Sequence, residues 1–426
     1  ETFGEALKTV KEMFDGWDLV SSPSLVPWAR TDLDTKLDEK TVIGRQIREW
    51  NRQLIEVSAA DTATVLRCCQ TIQAGLQARG GYFVGDPSQA LQISPDYFPI
   101  SPADLPLVEG NGPLVWEFWK QALQLYADSL KGKSGLEWVP ATVEGPLRSE
   151  QIMAQRRIAS AHPTVLPLFA RVDLSSIWFL VEIQERIGGM GLVQSYQEAI
   201  REATGTAGMI GPIGGLAEAF AEVVKAVTGR STPLVVLVCP TGYEVEQSFF
   251  AQRLRDQGIE AFVVQRDGME ESLTVKESFI FLGENGPRVD FLYRREINAA
   301  TMSLTPIGEA IIEAVLAKKI IVEPPLNMIY DCKTPMAWAW DPRSRDFFSD
   351  AVRTIITPTV LMPSRGFDRF PVGDRRYSLN ELVGKPYVVK YGGENIVVGL
   401  GGRAVYNTRD NDEGIRRGMA EVCRGH

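Results

Sequence analysis

Histidine is nearly missing from this chain: among 426 residues only His162 and His426 occur. A zinc site or a Ser-His-Asp triad needs imidazole at the chemistry, so the scarcity argues against both. The five cysteines, Cys68, Cys69, Cys239, Cys332 and Cys423, are odd in number and share no metal-ligand spacing. They read as reduced thiols of a cytoplasmic protein, mostly in core roles. No stretch of eighteen or more apolar residues occurs, so no membrane span is expected. The first twenty residues, ETFGEALKTVKEMFDGWDLV, are amphipathic and acidic, unlike a secretory signal or a transit peptide. No dense Lys/Arg block stands out and the net charge is -9, so nucleic acid is not an expected partner. What remains is an ordinary globular composition, 44% apolar and 23% charged, with length enough for roughly two to four domains. Nothing in it reads out an oligomeric state.

The stretch Phe169 to Leu192 carries most of the chemistry. Arg171, Asp173, Glu182 and Gln184 alternate with Val172, Leu174, Val181 and Ile183, the pattern of two half-buried strands. In an antiparallel pair with Asp173 opposite Glu182, Arg171 stands opposite Gln184 and all four polar groups share a face. Two carboxylates and an amide offer hard oxygens to magnesium, and a guanidinium suits phosphoryl oxygens. The register decides this. A tight turn at Ser175-Ser176 would place the carboxylates roughly 13 Å apart at about 3.3 Å per residue, so the metal reading requires a wider turn over about Ser176 to Phe179. An ordinary ribbon with a solvated charged face is the competing reading.

Residues 1–145 read as mainly helical, with helix-forming runs over Lys36 to Val57 and Ala60 to Ala78, the second stopped by Gly80-Gly81. Trp116, Trp119, Leu123, Tyr126 and Leu130 form an apolar stripe within Pro113 to Lys131, a pattern of core packing. Gly85 to Pro113 is rich in turn residues and reads as a long loop. Residues 146–230 contain the acidic ribbon, a helix near Val193 to Ala203, the glycine-rich connection 205–215 and a helix through about Val227. That connection lacks the Lys-Ser/Thr ending of a P-loop. Residues 231–330 alternate strands (PLVVLVCP, IEAFVVQ, SFIFLG, RVDFLYRR, KKIIVEPP) with helices over Tyr243 to Gln257 and Thr305 to Ala317. Such alternation implies an α/β unit with a parallel or mixed, Rossmann-like sheet. No GxGxxG follows its first strand, so no dinucleotide is inferred.

Residues 331–426 hold two lysine sites. Lys333 stands at a helix start in MIYDCKTPMAWAWD, and Lys390 ends an apolar strand followed by Gly392 and Gly393. Glycines let backbone amides approach phosphate closely, and a strand-borne lysine adds a fixed charge. A plain β-hairpin is the commoner explanation of such a segment.

In this order the pieces resemble the circularly permuted ATP-grasp ligases, and within them the synthetase domain of glutathionylspermidine synthase and related peptide ligases. The resemblance covers about residues 165–410. The family's R-x-D strand and following E-x-N strand look like Arg171-Val172-Asp173 and Glu182-Ile183-Gln184. Its Glu-Pro dipeptide and later Asn-Lys helix start are similar to Glu323-Pro324 and Cys332-Lys333. Its Y-V-x-K-P-x-x-G segment resembles Tyr387 to Gly393. Gln184 replaces the family's Asn and Tyr391 its Pro. The sequence stops at His426, after an expected helix over Asp412 to Cys423 that precedes the adenine-gripping strand and hinge in the family, so the nucleotide lobe is expected to be incomplete.

The resemblance implies an α/β (α+β) ATP-grasp-like fold with a Rossmann-like insert and a helical N-terminal region. It implies an ATP-dependent carboxylate-amine ligase acting through an acyl phosphate. Magnesium would be held by Asp173, Glu182 and Gln184, and Arg171 would meet the transferring phosphoryl group. Lys333, Lys390, Gly392 and Gly393 would bind the phosphates of ATP. The substrates would be a small carboxylate and an amine, whether amino acid, peptide or polyamine. Gly188 to Gly191 either approaches the reacting groups or is only a turn. Arg294 and Arg295 either bind a substrate carboxylate or form a structural ion pair. Two other functions stand beside this one: a non-catalytic scaffold of the same fold, and a Rossmann-type enzyme centred on 233–324 that binds a nucleotide or sugar nucleotide.

Overall fold

Six successive apolar residues with no polar interruption, Leu234–Cys239, can only be satisfied by burial on both faces, and all six are buried. They form β3 of a four-stranded sheet in the computed structural model of the chain. The structure describes residue 45, residues 62–80 and residues 100–361 apart from 146, 175–179, 186, 206–210, 296 and 298–301, together with the backbones of four short strands at 370–372, 375–377, 388–390 and 405–407. The molecule is a mixed α/β protein with parallel and antiparallel sheets. Among the described residues no helix is long and apolar enough to cross a membrane.

In chain order the helices are α1 (Thr62–Ala78), α2 (Leu105–Leu130), α3 (Trp138–Glu144), α4 (Ser149–Ala161), α5 (Met190–Thr204), α6 (Gly215–Thr228), α7 (Glu244–Asp256), α8 (Met269–Ser272), α9 (Pro306–Leu316), α10 (Thr334–Trp338) and α11 (Asp350–Ile355). The strands are β1 (Arg171–Leu174), β2 (Leu180–Gln184), β3, β4 (Glu260–Gln265), β5 (Leu273–Lys276), β6 (Phe279–Leu282), β7 (Phe291–Tyr293), β8 (Ile321–Glu323), β9 (Phe370–Val372), β10 (Arg375–Tyr377), β11 (Val388–Lys390) and β12 (Val405–Asn407). By contact the chain divides into two compact units. Of the described residues, the first takes those up to 112, 167–174 and 184–326; the second takes 113–166, 180–183 and those from 327 onward.

The first unit is built on the parallel sheet β4-β3-β7-β8, with Val235 level with Ala261 on one side and Phe291 on the other. Alternation puts Val235 and Leu237 on one face, where they pack with Phe220 of α6 and with Phe250, Ala251 and Leu254 of α7. Phe220 is the hub. Phe169 stacks on it at 4.6 Å, and the rings of Phe250, Phe291 and Tyr293 meet it edge-on between 5.6 and 5.9 Å. α7 carries Glu244 and Glu246 in its first turn and Arg253 and Arg255 in its last, the polarity its dipole favours. The segment SFIFLG is a strand, β6, but it lies outside this sheet. It pairs antiparallel with β5, whose sequence LTVK gave no strand expectation.

The second unit is cored by the aromatic stripe of α2. Trp119, Leu123 and Tyr126 are buried, and Trp116 and Leu130 lie at its margin. Phe118 stacks on Phe348 at 5.9 Å and Trp119 meets Tyr330 edge-on at 5.0 Å. The helix starts earlier than expected: Leu105 to Gly112 is helical, not loop, and Pro113 lies inside it. The Gly-Asn-Gly-Pro run is turn-like by propensity, which is a weak prior against an anchored helix. Its anchor is Asp104, fully buried, whose Oδ1 accepts from Arg45 Nε at 2.9 Å and whose carbonyl accepts from Leu107 and Val108. Of the expected helix over Lys36 to Val57, residue 45 is described and is helical; the rest lies outside the described residues.

Candidate functional site

Both strands of the acidic ribbon form, β1 and β2, and residues 175–179 between them lie outside the described residues. Arg171 and Asp173, two positions apart, share a face as alternation requires. The guanidinium clasps the carboxylate through Nε to Oδ1 at 3.1 Å and Nη2 to Oδ2 at 3.5 Å, both side chains part-exposed in the first unit. Leu180 to Ile183 belong to the second unit, where Leu180 bridges Ile356 in parallel and its carbonyl accepts from the Thr357 amide. There Glu182 meets Lys333, Nζ to Oε1 at 2.9 Å.

That contact joins residues from two separate motifs. Lys333 is the residue preceding α10, as its place at a helix start implies. The turn that delivers it is fixed by groups that gave no sequence signal. Gln155 of α4, buried, donates to Asn327 Oδ1 at 2.8 Å and accepts from the Met328 amide at 3.0 Å. Asn327 Oδ1 in turn accepts from the Ile329 amide, and the Tyr330 hydroxyl donates to the Val165 carbonyl. A lone Gln on an amphipathic helix is indistinguishable from a solvated one until its partner is placed.

At the carboxyl end of β7 the two arginines have structural partners. Arg294 is fully buried and donates to the carbonyls of Pro324, Ile297 and Pro325 at 2.7, 2.7 and 2.8 Å, the first and last of which follow β8. Arg295 pairs with Glu246 of α7 at 2.6 Å, both side chains nearly inaccessible, and its guanidinium lies 4.2 Å over the Tyr243 ring. Of the two readings of these arginines, the ion pair is the one seen at Arg295.

The Gly188 to Gly191 loop is held against this pair. Glu246 Oε2 accepts from the Leu192 amide at 3.0 Å, and the Tyr293 hydroxyl donates to the Ile187 carbonyl at 3.1 Å. Gly189 begins α5 at φ 74°, and a Cβ on Gly191 would lie 1.8 Å from the Glu246 carbonyl oxygen. Close approach of the two backbones requires glycine there.

Glu323, met in the sequence only as half of a Glu-Pro dipeptide, ends β8 in complete burial. Its Oε1 accepts from the amides of Leu168 and Phe169 at 2.9 and 3.1 Å. Burial pushes its carboxyl up to about 8, against the pull of those two amides and of Arg294. Burial, with the Glu323 charge adding to it, also drives the Tyr293 phenol above its ordinary range.

Lys390 ends β11, its backbone opposite Val405 of β12. Gly392 and Gly393 lie outside the described residues. Gln184 ends β2 and is half-buried. Among the described residues no group of three or more His, Cys, Asp or Glu side chains is gathered as a metal cluster. Among the described residues, Cys68, Cys69, Cys239 and Cys332 are not disulfide-bonded. No protein-family model matches the chain, and no curated protein matches it in sequence.

Proposed function

We propose that this chain is an ATP-grasp-like, ATP-dependent carboxylate-amine ligase. The observation that carries the reading is the Glu182–Lys333 contact at 2.9 Å. The two residues belong to motifs far apart in sequence, one assigned to a cation and the other to a phosphate, and a shared triphosphate site requires such groups to converge. The donor chemistry fits magnesium: Asp173, Glu182 and Gln184 offer only hard oxygens, and each of the two carboxylates already stabilises a cation, Arg171 and Lys333 respectively.

In this reading a substrate carboxylate oxygen attacks the γ-phosphorus of ATP, the bond to the β-γ bridging oxygen breaks, and ADP leaves. An amine then adds to the acyl carbon of the acyl phosphate. The tetrahedral adduct collapses with loss of inorganic phosphate, and the amine proton passes to solvent. Magnesium, when bound, neutralises phosphoryl charge. Arg171 holds the transferring group, and Lys333 and Lys390 hold the nucleotide phosphates, with Gly392 and Gly393 admitting close backbone approach. Charge neutralisation of this kind needs no imidazole, in keeping with a chain that has two histidines.

The competing Rossmann-type reading places a ligand at the carboxyl ends of β3 and β7, where the strand order reverses. That position is filled by the Arg295–Glu246 pair and the Tyr243 ring, which weighs against it.

Calorimetric titration with ATP and magnesium should give saturable binding, and phosphate release should depend on an added acid and amine. Asp173→Ala and Glu182→Ala should each abolish release. Full activity in both variants would refute the metal assignment, and absence of ATP binding would refute the ligase.

A further inference from the structure

Under the proposed function Glu182 and Lys333 serve different ligands, a cation and a phosphoryl oxygen, yet each holds the other at 2.9 Å. The contact is not a chance meeting of mobile surface groups. Glu182 is 15% exposed and Lys333 34%, and both backbones are fixed: Leu180 by its bridge to Ile356, and the turn before Lys333 by Gln155 and Asn327. A carboxylate oxygen taken by an ammonium is not open to a divalent ion, and an ammonium taken by a carboxylate is not open to phosphate.

From this we propose that the Glu182–Lys333 ion pair is a latch that couples the two ligands. A cation alone must part the pair, and so must an anion alone. Arriving together they part it once, so each raises the affinity for the other by the same factor. The identity of the two ligands rests on the ligase reading; the exclusion itself rests on the geometry of the pair.

The latch makes an inverted demand on mutagenesis: removing the residue for one ligand strengthens binding of the other. The full chain is titrated with Mn2+ alone, followed by electron paramagnetic resonance, and with ATP in excess EDTA, followed by calorimetry. Lys333→Met should tighten Mn2+ binding about five- to tenfold, and Glu182→Gln should tighten binding of metal-free ATP by a similar factor. Lys333→Arg keeps the pair and should retain the wild-type Mn2+ affinity. Lys131→Met, at an exposed lysine of the same unit, controls for net charge and should change neither affinity. Circular dichroism checks that each variant is folded, and Lys333→Gln replaces Lys333→Met if the latter is not.

Unchanged or weakened Mn2+ binding in the Lys333 variant overturns the latch, as does an equal gain in Lys131→Met. Failure of the ligase reading looks different: the wild type would bind no ATP even with magnesium, while the Mn2+ arm would still decide for or against the latch.

Discussion

Glu323 is a carboxyl group that the fold favours in its neutral form, and the sign of its effect on stability follows. Its pKa rises from about 4.5 to about 8 on folding, so its contribution is fully present below about 4.5 and is lost as pH rises through about 8. Urea midpoints should therefore fall between pH 5 and pH 9. Glu323→Gln keeps an acceptor for the Leu168 and Phe169 amides and should flatten that fall; a midpoint equally pH-dependent in the variant would show that the effect lies elsewhere. At this scale the sequence told which residues were chemical but not which were occupied. Arg171 and Asp173 could be placed on one face from their spacing alone. That Arg294 is consumed by three carbonyls, and Arg295 by Glu246, depends on where β8 and α7 bring their ends. No local pattern records that.

Elements were legible where a strong period or a buried run defined them. The apolar runs behind β3, β4, β7 and β8 became four parallel strands, and the stripe of α2 became core. Boundaries failed where tertiary anchors decided, as at the start of α2, held by the buried Asp104. Sheet membership of β6 also failed, because an apolar run does not say which edge it will join. The junction of β2 with α5 offers an element-scale test. Gly191→Ala puts a methyl group into the main-chain carbonyl of Glu246. It should cost about 2–4 kcal/mol in chemical denaturation, in the range of backbone collisions that only a shift of α5 or α7 relieves. A variant within 0.5 kcal/mol of wild type, taken roughly as the level of an inert surface change, would mean the two helices separate easily.

Across the whole molecule, neither compact unit is one continuous stretch of chain. The second draws on residues 113–166, 180–183 and 327 onward, so its core is finished by residues that come last. A chain ending at Leu326 lacks Tyr330, Trp338 and Phe348, the partners of Trp119, Thr142 and Phe118. It should lose near-ultraviolet circular dichroism from tryptophan and bind a hydrophobic dye, and an unchanged spectrum without dye binding would contradict the packing described for α2. Contiguity in the chain is visible in a sequence; the return of a later segment to an earlier one, as in these interleaved units, is not.

The distance in sequence between Trp119 and Tyr330 also has a consequence in time. At about 5–20 residues per second, a ribosome needs on the order of 10–40 s to translate from one ring to the other. For that interval the nascent polypeptide carries an amphipathic helix whose bulky side chains await their cover. A holdase chaperone would have its best binding opportunity then, and slowing translation across residues 120–330 should lengthen that exposure and lower the soluble yield.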